Sequence, residues 1–210
     1  MPPPAVDLRL IVITDSALAA PRTVIDVVRA ALRAGAPAIQ LRDKLATAHQ
    51  LLEQATILRA LTGQHGALLF LNDRLDVALA AQADGVHLGP RDIPLAAARH
   101  AAPLPFLIGV STDDPEAAAD AQQQGASYIG CGAVFGTSSK DVGGEVIGTG
   151  QLRRVVEAVR IPVVGIGGIN ASNVDAVAAS GAAGAAVIGA VMQADDVEGT
   201  VRTLLKAFPR

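Results

Sequence analysis

The sequence predicts an α/β fold, a single (β/α)8 TIM barrel, on three observations. Eight short apolar runs rich in Val and Ile alternate with eight longer Ala- and Leu-rich segments of helical period. The apolar runs are continuous, as expected of parallel strands whose faces are both covered by crossover helices. Several helices end in a recurring joint, a Gly-Ala or Ala-Asp pair that leads straight into the next apolar run. A doubly wound open sheet is the alternative, because strand order cannot be read from one sequence.

The first strand is expected at 9–14 (RLIVIT), followed by a helix at 22–34 that closes in RAGAPAIQL. A glycine at a helix C-cap supplies left-handed backbone, and the chain then enters the second strand, 37–41 (PAIQL). A helix at 47–63 leads to strand 67–71 (ALLFL), and a helix at 74–82 passes through AQADGVHL into strand 84–88. Helix 94–101 precedes strand 105–110 (PFLIGV), and helix 114–124 turns at QQGASYIG into strand 126–131. Beyond a long Gly-rich loop come helix 150–159, strand 162–166 (PVVGI) and helix 172–180. The joint ASGAAGAAVI opens the eighth strand, 184–188, and a helix at 195–207 ends the series. No low-complexity linker interrupts the 210 residues, so one domain is expected over 1–210, with 1–8 as a short tail.

Composition narrows the function. Half the residues are apolar and 18% are charged, which fits a folded globule. A net charge of −3 lacks the basic stripe that nucleic acid would require. An anionic ligand must therefore meet a local cluster of cations. Cys131 is the single cysteine, so an internal disulfide is excluded. The start MPPPAVDLRL lacks signal-peptide layout, and no apolar stretch of about 20 residues is present to span a bilayer. A cytoplasmic protein with no membrane partner is the expectation, and homo-oligomerisation stays open.

In a (β/α)8 barrel, reactive groups gather at the C-terminal ends of the strands. Nearly every notable polar residue here falls at that end. The second strand finishes with Gln40, Arg42 and Lys44, the third with Asn72 and Asp73, and the fourth with His87 and Asp92. Ser111 ends the fifth. Arg42 and Lys44 can be solvated loop charges, but alternation puts Gln40 inside the mouth, where a buried amide needs partners. An anion clamp accounts for all three. Asp73 and Asp92 suit Mg2+, which takes one or two carboxylates plus substrate phosphate; capping of the following helix is the competing role for Asp73.

GIGGIN (165–170) and the VIGA stretch at 187–190 occupy the loops where such barrels place phosphate, although a glycine-only turn is the plain alternative. FGTSSK (135–140) adds hydroxyls and a lysine in a long loop, and the glycines from 132 to 148 suggest a mobile lid. Cys131 reads as a small buried residue. His49, His65 and His100 read as helix-surface residues, and His87 as an inward polar group.

The stretches IQLRDK, LNDRLDVALAAQADGVHLGPRD, IGVS, YIGCGAVFGTSSK, PVVGIGGIN and GAAGAAVIGAV together resemble the thiamine-phosphate synthase family, in its order and spacing, over about residues 9 to 190. The resemblance implies a transferase that joins a pyrimidine diphosphate to a thiazole phosphate with loss of pyrophosphate. A dissociative mechanism and Mg2+ as cofactor are implied with it. By position, Gln40, Leu41, Arg42, Asp43, Lys44, Asn72, Ser111 and Lys140 would bind the pyrimidine diphosphate, with Arg42, Lys44, Ser111 and Lys140 the catalytic set. Asp73 and Asp92 would hold the metal. Thr137, Ser138, Ser139, Gly168, Ile188 and Gly189 would hold the thiazole phosphate.

Departures from the family pattern stand out in three stretches. Pro90-Arg91 replaces Gln-Glu before Asp92, Gly136 and Ser139 replace a proline and a threonine in the FGTSSK stretch, with Ser139 keeping a hydroxyl, and Gly189 replaces a common serine. The alternatives are a related thiazole tautomerase, another phosphate-binding barrel isomerase, and a ligand-binding barrel without turnover.

Overall fold

The computed structural model describes residues 6–136 and 146–209. Eight parallel strands close on themselves in sequence order, so the open-sheet alternative is excluded. They are β1 (Leu10–Ile13), β2 (Ala38–Leu41), β3 (Leu68–Asn72), β4 (Gly85–Leu88), β5 (Leu107–Ser111), β6 (Tyr128–Cys131), β7 (Val163–Ile166) and β8 (Gly184–Val187). β1 pairs with both β2 and β8, which completes the ring.

Each expected helix is present. In chain order they are α1 (Ser16–Ala19), α2 (Val24–Arg33), α3 (Ala48–His65), α4 (Leu75–Ala80), α5 (Leu95–Ala101), α6 (Pro115–Gln123), α7 (Gly148–Ala158), α8 (Val174–Ala178), α9 (Gly189–Met192) and α10 (Val197–Lys206). The one-turn helices α1 and α9 are additions; four residues are too few for a periodic signal. Leu8, expected in the tail, is buried.

The helix-to-strand joints behave as expected at Gly35, Gly125 and Gly181, with φ of 93°, 94° and 89°. After α4 the left-handed residue is Gln82, φ 52°, and not the glycine of AQADGVHL. That glycine, Gly85, lies within β4 and answers a packing need: a Cβ there would come within 2.7 Å of the Phe70 ring.

Alternation splits each strand between two cores. Leu10, Val12, Ile39, Leu41, Leu69, Leu71, Val86 and Ile108 form the outward rows beneath the helices, each 2% exposed or less. The inward rows pair rings with glycines. Phe70 lies over Gly85, Tyr128 over Gly109 and His87 over Gly130. The Phe70 and Tyr128 rings meet edge to face at 5.5 Å, an arrangement that the ring quadrupoles favour. This interior leaves only a narrow cavity, to which Gln40, His87 and Tyr128 contribute the polar side chains.

Candidate active site

β2 carries Gln40 in its inward row and delivers Arg42 and Lys44 just past its last residue. A reciprocal pair fixes the Arg42 backbone: its N–H donates to Thr14 Oγ1 at 2.9 Å, and the Thr14 hydroxyl donates to Arg42 O at 3.2 Å. The Arg42 guanidinium lies 3.8 Å from the Asp15 carboxylate. Arg42 Nε and Gln40 Oε1 are buried without a hydrogen-bond partner among the described residues. An open donor and an open acceptor at one rim are groups that a ligand can satisfy.

The other two residues of that stretch serve the fold. Leu41 is buried in the outward row. Asp43 turns back, its Oδ1 accepting from the N–H groups of Leu45 and Ala46 at 3.0 and 3.1 Å. Their side chains are committed, so only their backbone groups are left for a ligand.

Asp73 leaves β3 with φ of 64°, a left-handed conformation uncommon outside glycine. Its N–H donates to His87 O at 2.9 Å. Arg74 precedes α4 and makes no side-chain cap, so helix capping does not account for Asp73. Instead its carboxyl is a close neighbour of that of Asp92, whose Oδ2 accepts from Gly89 N–H at 2.7 Å. Burial first, then the proximity and charge of Asp92, raise the Asp73 carboxyl above the usual carboxylate range; Lys44 and Arg42 oppose the shift. Lys44 Nζ is 3.8 Å from Asp73 Oδ2.

Crowded carboxylates of this kind fit a divalent cation, which relieves their mutual repulsion and accepts hard oxygen ligands. Among the described residues no third His, Cys, Asp or Glu joins them in a metal-holding group. Mg2+ suits such a pair, because it completes its shell with water and phosphate.

Ser111, at the end of β5, is held by His87: Ser111 Oγ and His87 Nε2 are 2.8 Å apart. His87 Nδ1 lies 3.0 Å from the Tyr128 hydroxyl. Burial drives the Tyr128 hydroxyl pKa well above its ordinary value, and a hydrogen bond from Gln40 works in the opposite direction. Thus Gln40, Tyr128, His87 and Ser111 form one line through the interior. Asn72 stands level with His87 in the strand register.

On the far side of the mouth, Gly167 and Gly168 take φ of 96° and 63°. A Cβ on Gly168 would approach Phe135 Cβ to 2.8 Å, so close approach of two loops as well as a turn requires glycine here. Phe135 N–H donates to Gly167 O at 3.0 Å, and Val134 N–H to Ile166 O at 2.8 Å. Ile188 and Gly189 open α9, whose C-terminal end is pinned by Arg22 donating to Met192 O and Ala194 O at 2.8 and 2.6 Å. Thr137, Ser138, Ser139 and Lys140 lie outside the described residues, with most of the loop expected to act as a lid.

Cys131 is fully buried, and burial together with the nearby Asp113 charge pushes its thiol pKa up to about 12. It is therefore a packing residue. His49, His65 and His100 are exposed on helices. Thr14 and Asp15 join the site from outside the quoted motifs, and Tyr128 joins it from YIGCGAVFGTSSK, where it was not among the expected site residues. For Tyr128 the available signal was the inward alternation of Tyr128 and Gly130 along β6.

Comparison with known proteins settles the family. A family model described as thiamine monophosphate synthase matches residues 10–191. The chain belongs to the thiamine monophosphate synthase family. A thiamine-phosphate synthase of Methanospirillum hungatei is 47% identical over 196 residues, covering 93% of this chain and 95% of the relative. One from Pyrococcus furiosus is 47% identical over 199 residues, covering 95% and 94%. A solved structure described as thiamine phosphate pyrophosphorylase from Pyrococcus furiosus matches with a TM-score of 0.87 at 46% identity, over 96% of each chain. A 3-hexulose-6-phosphate synthase, with a TM-score of 0.71 at 21% identity, shares the fold alone.

As a member of the thiamine monophosphate synthase family the chain is an enzyme of the transferase class. Among its described residues no helix is long and apolar enough to cross a membrane.

Proposed function

We propose that this chain is a thiamine-phosphate synthase. It condenses 4-amino-2-methyl-5-hydroxymethylpyrimidine diphosphate with a thiazole phosphate and releases pyrophosphate. The Asp73–Asp92 carboxylate pair facing Lys44 and Arg42 carries this reading. A tautomerase or phosphate-binding isomerase has no use for paired carboxylates and cations at the ends of β2 to β4.

The reaction breaks the bond between the pyrimidinylmethyl carbon and the diphosphate oxygen, and the thiazole nitrogen then bonds to that carbon. In a dissociative course the leaving group departs first. Arg42 and Lys44 grip diphosphate oxygens and meet the charge that grows on them. Arg42 has a buried Nε still to be satisfied and a backbone locked by Thr14, so its planar fork is held ready. Ser111 and Lys140 complete that end, while Asn72 and Gln40 hold the pyrimidine. Asp73 and Asp92 would hold Mg2+, which would supply positive charge to the departing pyrophosphate. The thiazole phosphate rests on Gly168, Ile188 and Gly189, with Thr137, Ser138 and Ser139 from the long loop. No side-chain nucleophile is needed, and Cys131 with its protonated thiol is not one.

The test is direct. Purified protein with both substrates and Mg2+ is expected to yield thiamine phosphate and pyrophosphate in equal amounts. Folded protein that forms neither would overturn the proposal.

A further inference from the structure

The line from Gln40 through Tyr128 and His87 to Ser111 crosses from β2 to β5. Each hydroxyl in it has one proton to give, and a neutral imidazole has one donor and one acceptor, so the line runs in a single direction at a time. Two arrangements satisfy it. In the forward one, the Gln40 amide N–H donates to Tyr128, the Tyr128 hydroxyl donates to His87 Nδ1, and His87 Nε2–H donates to Ser111 Oγ. The Ser111 proton is then free to point into the site. In the reverse one, Ser111 donates to His87 Nε2, Nδ1–H donates to Tyr128, and Tyr128 donates to Gln40 Oε1.

The geometry fits the forward arrangement. Gln40 Oε1 has no partner among the described residues, so the Tyr128 hydroxyl does not donate there and its proton is left for His87 Nδ1, 3.0 Å away. The two ends of the line therefore show opposite chemistry: an acceptor at Gln40 and a donor at Ser111. Gln40, Tyr128 and His87 are 2%, 1% and 8% exposed, so bulk water has little access to reset the direction, and in such surroundings each bond polarises the next.

We propose that Tyr128 and His87 are positioning residues that couple the two ends, so that a ligand N–H bound at Gln40 and a diphosphate oxygen bound at Ser111 favour the same direction of one hydrogen-bond line. The identity of the ligand rests on the thiamine-phosphate synthase reading: a 4-aminopyrimidine diphosphate supplies the donor at one end and the acceptor at the other. A pyrimidine with a carbonyl in place of the amine calls for the reverse arrangement. That arrangement removes the donor at Ser111, so one changed atom loses interactions at both ends.

Nuclear magnetic resonance on protein labelled with 15N in its histidine rings reads the direction without substrate. The chain has four histidines, and His87→Gln identifies the His87 signals by their loss. The expected state is a bare Nδ1 and a protonated Nε2; a proton on Nδ1, alone or with one on Nε2, overturns the proposal. Kinetics give the second arm. Tyr128→Phe keeps the ring over Gly109 and removes only the hydroxyl. It is expected to lower kcat about 10-fold, leave the thiazole phosphate KM unchanged, and cut the preference for the 4-amino over the 4-oxo diphosphate at least ~10-fold. An unchanged preference overturns the coupling. His87→Gln, whose amide N–H stands in for Nε2–H, is expected to retain more kcat than His87→Leu; equal losses would reduce His87 to a packing residue and overturn its role. Wild-type protein that makes no thiamine phosphate refutes the functional reading instead, and the histidine tautomer still decides the direction of the line.

Discussion

The carboxyl groups of Asp73 and Asp92 are close neighbours at the mouth of the barrel, with Lys44 Nζ 3.8 Å from Asp73 Oδ2. The arrangement raises the Asp73 pKa in the folded state. A raised pKa means that the stabilising contribution is present below the unfolded value and is lost as pH rises through the folded one. At neutral pH the metal-free protein therefore carries unrelieved repulsion here. Asp92→Asn keeps an acceptor for Gly89 N–H and removes the charge. Thermal melts at pH 7 without Mg2+ are expected to rise by on the order of 2 °C, while Mg2+-dependent turnover falls at least ~100-fold. A lower melting temperature with full turnover would refute the assignment.

Arg42 and Lys44 divide the clamp unequally. Lys44 is more than half exposed, whereas Arg42 is nearly buried beside Asp15. Lys44→Ala is expected to raise the KM for the pyrimidine diphosphate about 10-fold, since an exposed cation contributes modestly. Arg42→Lys, though it keeps the charge, is expected to cost more, because an ammonium cannot reproduce a fork held in place. Neither change is expected to move the thiazole phosphate KM, and steady-state kinetics against each substrate in turn would reveal equal losses if the clamp were misplaced.

Gly168 offers a contrast with Gly150. The first has φ of 63° and room for no Cβ beside Phe135; the second sits in α7 with nothing within 4 Å. Gly168→Ala is expected to destabilise the protein by about 1–3 kcal/mol and to raise the thiazole phosphate KM. Gly150→Ala is expected to stabilise it by ~0.5 kcal/mol. Chemical denaturation of both variants checks the pair; equal effects would mean that neither strain nor crowding operates at Gly168.

The barrel and one rim of its site were legible because both depend on local pattern. Gln40 could be placed inward from two residues of alternation, and its place in the lining of the interior cavity bears that out. Tyr128 sits on the same inward row logic, yet its importance comes from Gln40 and His87, residues of other strands, and no spacing along the chain encodes that meeting. Asp15 is in the same position: it faces Arg42 only because β1 and β2 are neighbours. At Gln82 the expectation failed for a different reason. Gly85 was read as the turn glycine, whereas the ring of Phe70, its register partner on the neighbouring strand β3, requires it inside β4.

The opposite end of the barrel looked chemically plain in the sequence, but Arg99 works there. From α5 its guanidinium makes five hydrogen bonds, to Ala102 O, Phe106 O, Gly125 O twice and Ser127 Oγ, at 2.7 to 3.2 Å. These acceptors lie in the segments that lead into β5 and β6, and Ser127 Oγ also accepts from Ile108 N–H at 3.0 Å. Burial lowers the Arg99 pKa from its usual value, an unfavourable effect that the five hydrogen bonds offset. Arg99→Met keeps much of the apolar stem and strips every donor, leaving partly buried carbonyls open. The expected loss is about 2–4 kcal/mol of stability, or on the order of 10 °C in melting temperature, with both substrate KM values unchanged. Arg99→Lys is expected to recover little, since one ammonium cannot span acceptors on two separate segments. A variant with full stability and altered KM would place Arg99 in communication with the mouth, contrary to a division in which this end of the barrel supports stability and the other end the chemistry.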